Sequence, residues 1–347
     1  MPVSLCADGR SVVFELADRA RRLAGVRLVD EIGLPGALTF VRTPEGWRLE
    51  VPRPDVDRME YLLEVEDHNG HRRTVPDPGN PERAGGAFGD KSVAVFPGYA
   101  APAWLSEEPV PGRVDTTDVP AAGLAGPVTV TTWTPEALAD DQAAPLIVVH
   151  DGPEYDRLGG FTHYVGAMLA RGAVPPVRVA LLDPGDRNEW YAANPDYPAA
   201  LCGPVVAALP PATARVGVGV SLGALAMLHA HRNHPRTFDA LLLQSGSFFT
   251  PELDPQEAQF ARFAEVSGFV AEISAATSDD APVPTVLTCG TVEENLANNE
   301  ALTGRLRRLG YPATLIRRRD AHNYTAWRDA LHPHLVTLVE AVARRAA

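Results

Sequence analysis

Residues 215–234 read RVGVGVSLGALAMLHAHRNH, and the two halves of this stretch obey different rules. Up to Val220 it is a short apolar run with strand character, and from Leu222 it becomes a helical run that lasts to about His234. At the junction Gly219, Val220, Ser221, Leu222 and Gly223 spell G-x-S-x-G. A serine between a strand and a helix in this frame takes a strained backbone conformation, and small residues on either side let strand and helix pack without clashing. Its hydroxyl then projects at the end of the strand. The N–H of Leu222 sits at a helix N-terminus, where it can stabilise an oxyanion. The stretch is read as a nucleophile elbow centred on Ser221.

Outward from the elbow, apolar runs at 145-PLIVVH, 178-RVALLD, 239-DALLLQ and 284-PTVLTC alternate with helix-like segments starting near Phe161, Tyr197, Leu222, Leu296 and Tyr324. Near-continuous apolar strands separated by helices predict a doubly wound α/β sheet buried on both faces. The first 102 residues have another rhythm. Short runs at 11-SVVFEL, 24-AGVRLV, 37-ALTFVR, 46-GWRLEVP and 59-MEYLLEVED, divided by Gly, Pro, Asp and Asn, predict a small all-β sandwich of immunoglobulin-like type. The expected division is therefore a β-sandwich over 1–102, a linker over 103–125 and an α/β domain over 126–347. The stretch 252–280 is expected to be an insertion of lid or cap type.

A serine nucleophile needs a base later in the chain, with an acid between them in the order serine, acid, histidine. His322 fits, since it follows the strand-like 312-PATLIRRR and precedes a helix beginning near Tyr324, which would put it on the sheet edge that carries Ser221. His229, His231 and His234 fall on or beyond the helix after the nucleophile, and His332 and His334 on the last helix. His150 closes a strand near the site and has both a structural and a functional reading. The acid should follow 284-PTVLTCG, which leaves Glu293, the first choice, and Glu294 beside it. Two glutamates at a helix start would also be favoured by the helix dipole alone.

The composition sets bounds on all this. The chain has 347 residues, a net charge of -13 and three cysteines, Cys6, Cys202 and Cys289. The acidic balance disfavours a nucleic-acid partner, which would need clustered Lys and Arg. No run is apolar and long enough to cross a bilayer. The start of the chain lacks the basic and apolar regions of a signal peptide, so a cytoplasmic location is expected, with the cysteines as reduced, buried thiols.

Taken together, 151-DG after a strand, Arg187 with Glu189, Asn194 and Tyr197, the elbow 219-GVSLG, 244-QSGSFF, Gly290 with Glu293, and His322 followed by Trp327 and Arg328 resemble the enterochelin (enterobactin) esterases. More widely they are similar to the esterase-D-like α/β-hydrolases that include feruloyl esterases. The resemblance covers most of the chain, including a β-sandwich ahead of the hydrolase domain. It implies a small-molecule ester substrate, a catecholate siderophore above all, hydrolysed without metal or organic cofactor. Ser221 would attack the carbonyl, His322 would carry the proton and Glu293 would orient the imidazole. Leu222 and Gly152 would form the oxyanion hole, and Asp151, Arg187, Glu189, Phe248, Trp327 and Arg328 would line the substrate. Arg187 and Arg328 are candidates for local positive charge toward an anionic ligand; the other reading is a structural ion pair, Arg187 with Glu189 or Asp186. Four positions depart from the family's pattern. Pro153 stands where the oxyanion hole usually takes a backbone N–H, so Gly152, Glu154, or Leu222 with a side chain must serve instead. Phe248 and Phe249 replace larger rings, and Val220 replaces a polar residue. An esterase for feruloyl or acetyl saccharides and a non-catalytic hydrolase-like binding protein are the alternative functions.

Overall fold

The computed structural model describes residues 3–346, which divide into two compact units. Among the described residues the first unit comprises 3–100 together with 290–293 and 319–325, and the second comprises 101–289, 294–318 and 326–346.

In the first unit nine short strands form two antiparallel sheets. They are β1 (Val3–Leu5), β2 (Ser11–Ala17), β3 (Leu23–Asp30), β4 (Val41–Arg42), β5 (Gly46–Pro52), β6 (Arg58–Asp67), β7 (Arg72–Val75), β8 (Arg83–Ala84) and β9 (Lys91–Val95). One sheet has the order β1-β2-β5-β4, the other β3-β6-β9-β8 with β7 also on β6. Val12, Phe14 and Leu16 of β2 and Trp47, Leu49 and Val51 of β5 share one core with Val26 and Leu28 of β3 and Met59, Tyr61, Leu63 and Val65 of β6. The two-residue period of these positions is what puts them on the inner faces of a sandwich. The segment 37-ALTFVR contributes only the two residues of β4.

The second unit is built on an eight-stranded sheet: β10 (Gly112–Val119), β11 (Val128–Pro135), β12 (Ala144–Val149), β13 (Arg178–Leu182), β14 (Ala212–Val220), β15 (Ala240–Gln244), β16 (Thr285–Gly290) and β17 (Ala313–Arg318). Its order is β10-β11-β13-β12-β14-β15-β16-β17. β13, β12, β14, β15 and β16 run parallel, while β10 and β11 are antiparallel. Every residue of β12, β13 and β15 is buried, as the unbroken apolar runs predicted. The helices are α1 (Gly152–Gly159), α2 (Phe161–Ala170), α3 (Arg187–Tyr191), α4 (Asp196–Ala200), α5 (Val206–Ala208), α6 (Leu222–Asn233), α7 (Phe263–Ala275), α8 (Leu296–Arg308), α9 (Tyr324–Asp329) and α10 (His334–Ala346). The second unit is thus an α/β sheet with a parallel centre, and the first an antiparallel β-sandwich.

Two expectations change. Residues 112–119, read as linker, form β10, an edge strand whose mostly exposed GRVDTTDV pairs antiparallel with β11; its polar character hid it. Within 252–280, read as an insertion of lid or cap type, α7 instead buries Val266, Phe269, Val270 and Ile273 in the core of the unit, as the crossover helix between β15 and β16. Of the cysteines only Cys289 is buried; Cys6 and Cys202 are half-buried, and all three are free thiols. No helix among the described residues is long and apolar enough to cross a membrane.

Candidate active site

Ser221 lies immediately after β14 with φ 55° and ψ −125°, a region that residues with side chains rarely occupy. Sterics explain the two flanking glycines. A Cβ on Gly219 would stand 2.3 Å from the Gly223 carbonyl oxygen, and one on Gly223 would stand 2.9 Å from Asp151 Oδ2 and 3.1 Å from the His150 Cβ. The Ser221 N–H donates to the Gln244 carbonyl at 2.9 Å, and the Ser247 N–H donates to the Ser221 carbonyl at 3.2 Å. The Ser221 and Ser247 hydroxyl oxygens are 3.2 Å apart. Leu222 opens α6, so its N–H is one of the first-turn donors for which a helix offers no carbonyl.

The loop after β12 packs on this elbow. Asp151 takes a left-handed conformation, φ 52°, and Gly152 opens α1. Gly152 presses on β13 so closely that a Cβ would meet the Leu181 Cα at 2.4 Å. Pro153 occupies the first turn of α1, where its missing N–H takes nothing from the helix. His150 is wholly buried and ties this loop to α6. The Gly223 carbonyl can only accept, so His150 Nδ1 carries the proton and donates to it at 2.8 Å, leaving Nε2 to accept from the Tyr197 hydroxyl at 2.9 Å. Burial, and to a lesser degree the charge of Arg187, push its pKa down to about 4 and keep the ring neutral. His150 thus fastens the loop after β12 to α6 and α4.

Glu293 and His322 lie in the first unit. Glu293 comes three residues after β16, and its Oε2 accepts from His322 Nδ1 at 2.8 Å. Its other oxygen, Oε1, accepts from the Gly290 N–H at 2.6 Å. The carboxylate is almost fully buried while the imidazole is about one-third exposed, 1% against 36%. A carboxylate fixes the histidine's tautomer: Nδ1 holds the hydrogen and donates it to Glu293, which leaves Nε2 as the basic nitrogen of the ring. Glu294 is exposed and accepts a long hydrogen bond, 3.4 Å, from Gln256, so of the two acids it is Glu293 that meets the histidine.

Several expected ligand contacts find other partners. Arg187 forms a two-pronged ion pair with Asp151, Nε to Oδ1 at 2.7 Å and Nη2 to Oδ2 at 2.9 Å, rather than with Glu189 or Asp186. Glu189 pairs with Arg262, and Arg328 with the adjacent Asp329 at 2.8 Å. Phe248 is fully buried in the core of the second unit. Trp327 is buried too, its Nε1 donating to Ser245 Oγ at 2.9 Å. Neither ring presents a face to a ligand; in both cases the apolar surface is worth more inside than at a wet cleft. Ser247, which the sequence reading passed over, reaches the Ser221 hydroxyl with its own. Its signal is position: 244-QSGSFF follows directly on β15, the strand beside β14. Among the described residues no group of three or more His, Cys, Asp or Glu is gathered to hold a metal.

No protein-family model and no curated protein matches the sequence. Solved structures do. The ferric enterobactin esterase of Salmonella typhimurium superposes with a TM-score of 0.79 at 19% identity, over 99% of this chain and 97% of its own. The enterobactin esterase of Shigella flexneri, solved in the presence of enterobactin, gives 0.75 at 19% identity over 96% and 93%. The chain has their fold. A ferulic acid esterase matches with a TM-score of 0.53 at 18% identity, covering 98% of its own length but 66% of this chain.

Proposed function

We propose that the protein is a serine ester hydrolase working through Ser221, His322 and Glu293, with a catecholate siderophore ester of the enterobactin kind as substrate. The observation that carries the reading is the Glu293–His322 hydrogen bond, taken with the strained elbow at Ser221. It anchors the Nδ1 proton of the imidazole to a buried carboxylate and so makes Nε2 the basic nitrogen. Nothing in β-sandwich packing requires such a pair on two loops that follow β16 and β17.

In this reading His322 Nε2 takes the Ser221 proton as Oγ attacks the ester carbonyl. The Leu222 and Gly152 N–H groups, each opening a helix, hold the oxyanion, with Pro153 leaving Gly152 as donor on that loop. Collapse of the tetrahedral intermediate expels the alcohol, which takes its proton from His322, and water then releases the acyl group by the same steps in reverse order. The choice of substrate rests on coverage. The enterobactin esterases match the β-sandwich and the hydrolase unit alike, whereas the ferulic acid esterase matches only two-thirds of the chain.

A second reading, an ester of lower charge such as a feruloyl or acetyl saccharide, is favoured by one observation. Arg187 and Arg328 both face carboxylates, so neither ion pair offers net positive charge to an anionic ligand. Turnover of ferric and iron-free enterobactin beside a short-chain p-nitrophenyl ester, for wild type and Ser221→Ala, tests both. Ser221-dependent hydrolysis of the siderophore, much faster than of the simple ester, is expected. Hydrolysis of the simple ester alone moves the substrate to the second reading, and no turnover of either overturns the enzyme.

A further inference from the structure

The start of β6 is buried on both faces. From Met59 onward its odd-numbered residues point into the sandwich core, and beyond Tyr61 the other face is only half-covered. Arg58 and Glu60, on that other face, are nonetheless 1% exposed each. What covers them is the segment 319–325, which belongs to the same compact unit and carries His322.

The contacts are polar and continuous. Arg58 Nη1 donates to both oxygens of Asp320 at 3.3 Å and to Asn323 Oδ1 at 3.0 Å, while Nη2 donates to Glu60 Oε1 at 2.5 Å. Asn323 Nδ2 donates to Glu31 Oε1 at 2.7 Å, and Lys91 Nζ bridges Glu31 at 2.7 Å and Glu60 at 3.5 Å. The backbone joins in, with the Asp57 N–H donating to the Arg319 carbonyl at 2.9 Å, and Arg319 Nε donating to Asp57 Oδ1 at 3.0 Å. His322 is thus flanked by anchored residues on both sides. The Glu293 loop is held in the same unit: Val292 packs on the sandwich core, and Gly290 lies so near Asp320 that a Cβ would meet its carbonyl oxygen at 2.2 Å.

A buried guanidinium and carboxylates are a poor way to gain stability, because desolvation consumes most of the attraction; what such a network does provide is a fixed geometry. We infer that Arg58, with Asp320 and Asn323 as its partners, is a positioning residue that makes the β-sandwich the mount for the Glu293–His322 pair. The inference rests on the serine-hydrolase reading for its catalytic consequence and on the local geometry for everything else.

The test compares Arg58→Met, Arg58→Lys and Asn323→Ala with wild type. Two readouts are used: steady-state hydrolysis of the best ester, and the downfield proton resonance of the His322 Nδ1–H bonded to Glu293. Thermal unfolding identifies variants that fail to fold. Misplacing a catalytic group by about 1 Å can cost on the order of 100-fold in rate. Arg58→Met is therefore expected to lower kcat by roughly that factor with KM within about twofold, and to lose or broaden the resonance; Arg58→Lys should recover part of both. Asn323→Ala removes a link without stranding a charge, so it decides the matter if Arg58→Met does not fold, with an expected loss of about tenfold. Folded variants with wild-type kcat and an intact resonance overturn the inference. If wild type itself shows no Ser221-dependent turnover, the hydrolase reading fails, and the resonance alone still judges whether Arg58 holds the pair.

Discussion

The two halves of the proposed catalytic apparatus are held by opposite means. Around Ser221 the chain is fixed by close approach: glycines where any Cβ would collide, strands buried on both faces, a neutral histidine joining two backbone segments. Around Glu293 and His322 it is fixed by charge: a guanidinium, an ammonium and three carboxylates, most of them withdrawn from water, spread over β6, β9 and the loops after β3 and β17. Steric fixation tolerates almost no substitution but is insensitive to solution conditions. Electrostatic fixation tolerates isosteric change only when partners are altered together.

The most severe way to break the first half is Ser221→Ala. Hydrolysis is expected to fall by about 10⁴-fold or more, with unchanged thermal unfolding, since a half-buried serine hydroxyl carries little packing energy. Steady-state kinetics beside a melting curve checks it, and retained turnover would remove the nucleophile. For the second half, Glu293→Gln should cost roughly 10³- to 10⁴-fold in kcat, because the amide can present its NH2 to His322 Nδ1 and turn the ring to the wrong tautomer. Glu294→Gln, on the exposed neighbour, should stay within about twofold; equal losses in the two variants would mean that the acid is misassigned.

That pair of variants also marks how far the sequence can be read. Both the elbow and the all-apolar strands are legible because their constraints are local: five consecutive residues state that a strand must turn into a helix at close range. That His322 would lie on the loop after the last strand was legible from chain order. Separating Glu293 from Glu294 was not, since adjacent residues at a loop share every local property and differ only in which one the fold turns toward the histidine. Nor were the partners of Arg187 or the burial of Phe248 and Trp327 legible, for a side chain's contacts are set by residues dozens of positions away. Asn323 and Glu31, 292 positions apart in the chain, are the extreme case. β10 escaped for a different reason: an edge strand facing water lacks the apolar signature of a strand.

The steric half makes its own demand on stability. Gly219→Ala is expected to destabilise the protein by about 3 kcal/mol or more, because the added methyl would press on the backbone of α6 rather than on a side chain that can rotate away. Chemical denaturation measures this. A loss below about 1 kcal/mol would show that strand and helix can part without consequence, and that the motif is kept for chemistry alone.

The last prediction concerns solution conditions, and it tests the steric half at His150, a titratable group packed beside the elbow. Its imidazole titrates near 6.5 when unfolded and is depressed to about 4 in the fold. The unfolded chain therefore binds the proton more readily, so the stability this residue contributes is complete above pH 6.5 and drains away as pH falls toward 4. The full drop is on the order of 3 kcal/mol. His229 on α6, also depressed to about 4 by burial, falls in the same window, and burial lowers His231, His332 and His334 as well, so the wild-type slope belongs to all of them. The comparison of His229→Leu with the double variant carrying His150→Gln isolates the share of His150, because the first removes one titration and the second removes both. If the double variant keeps the slope of the single one between pH 6.5 and 4, His150 is not the neutral fastening its two hydrogen bonds describe, and the elbow is held by sterics alone.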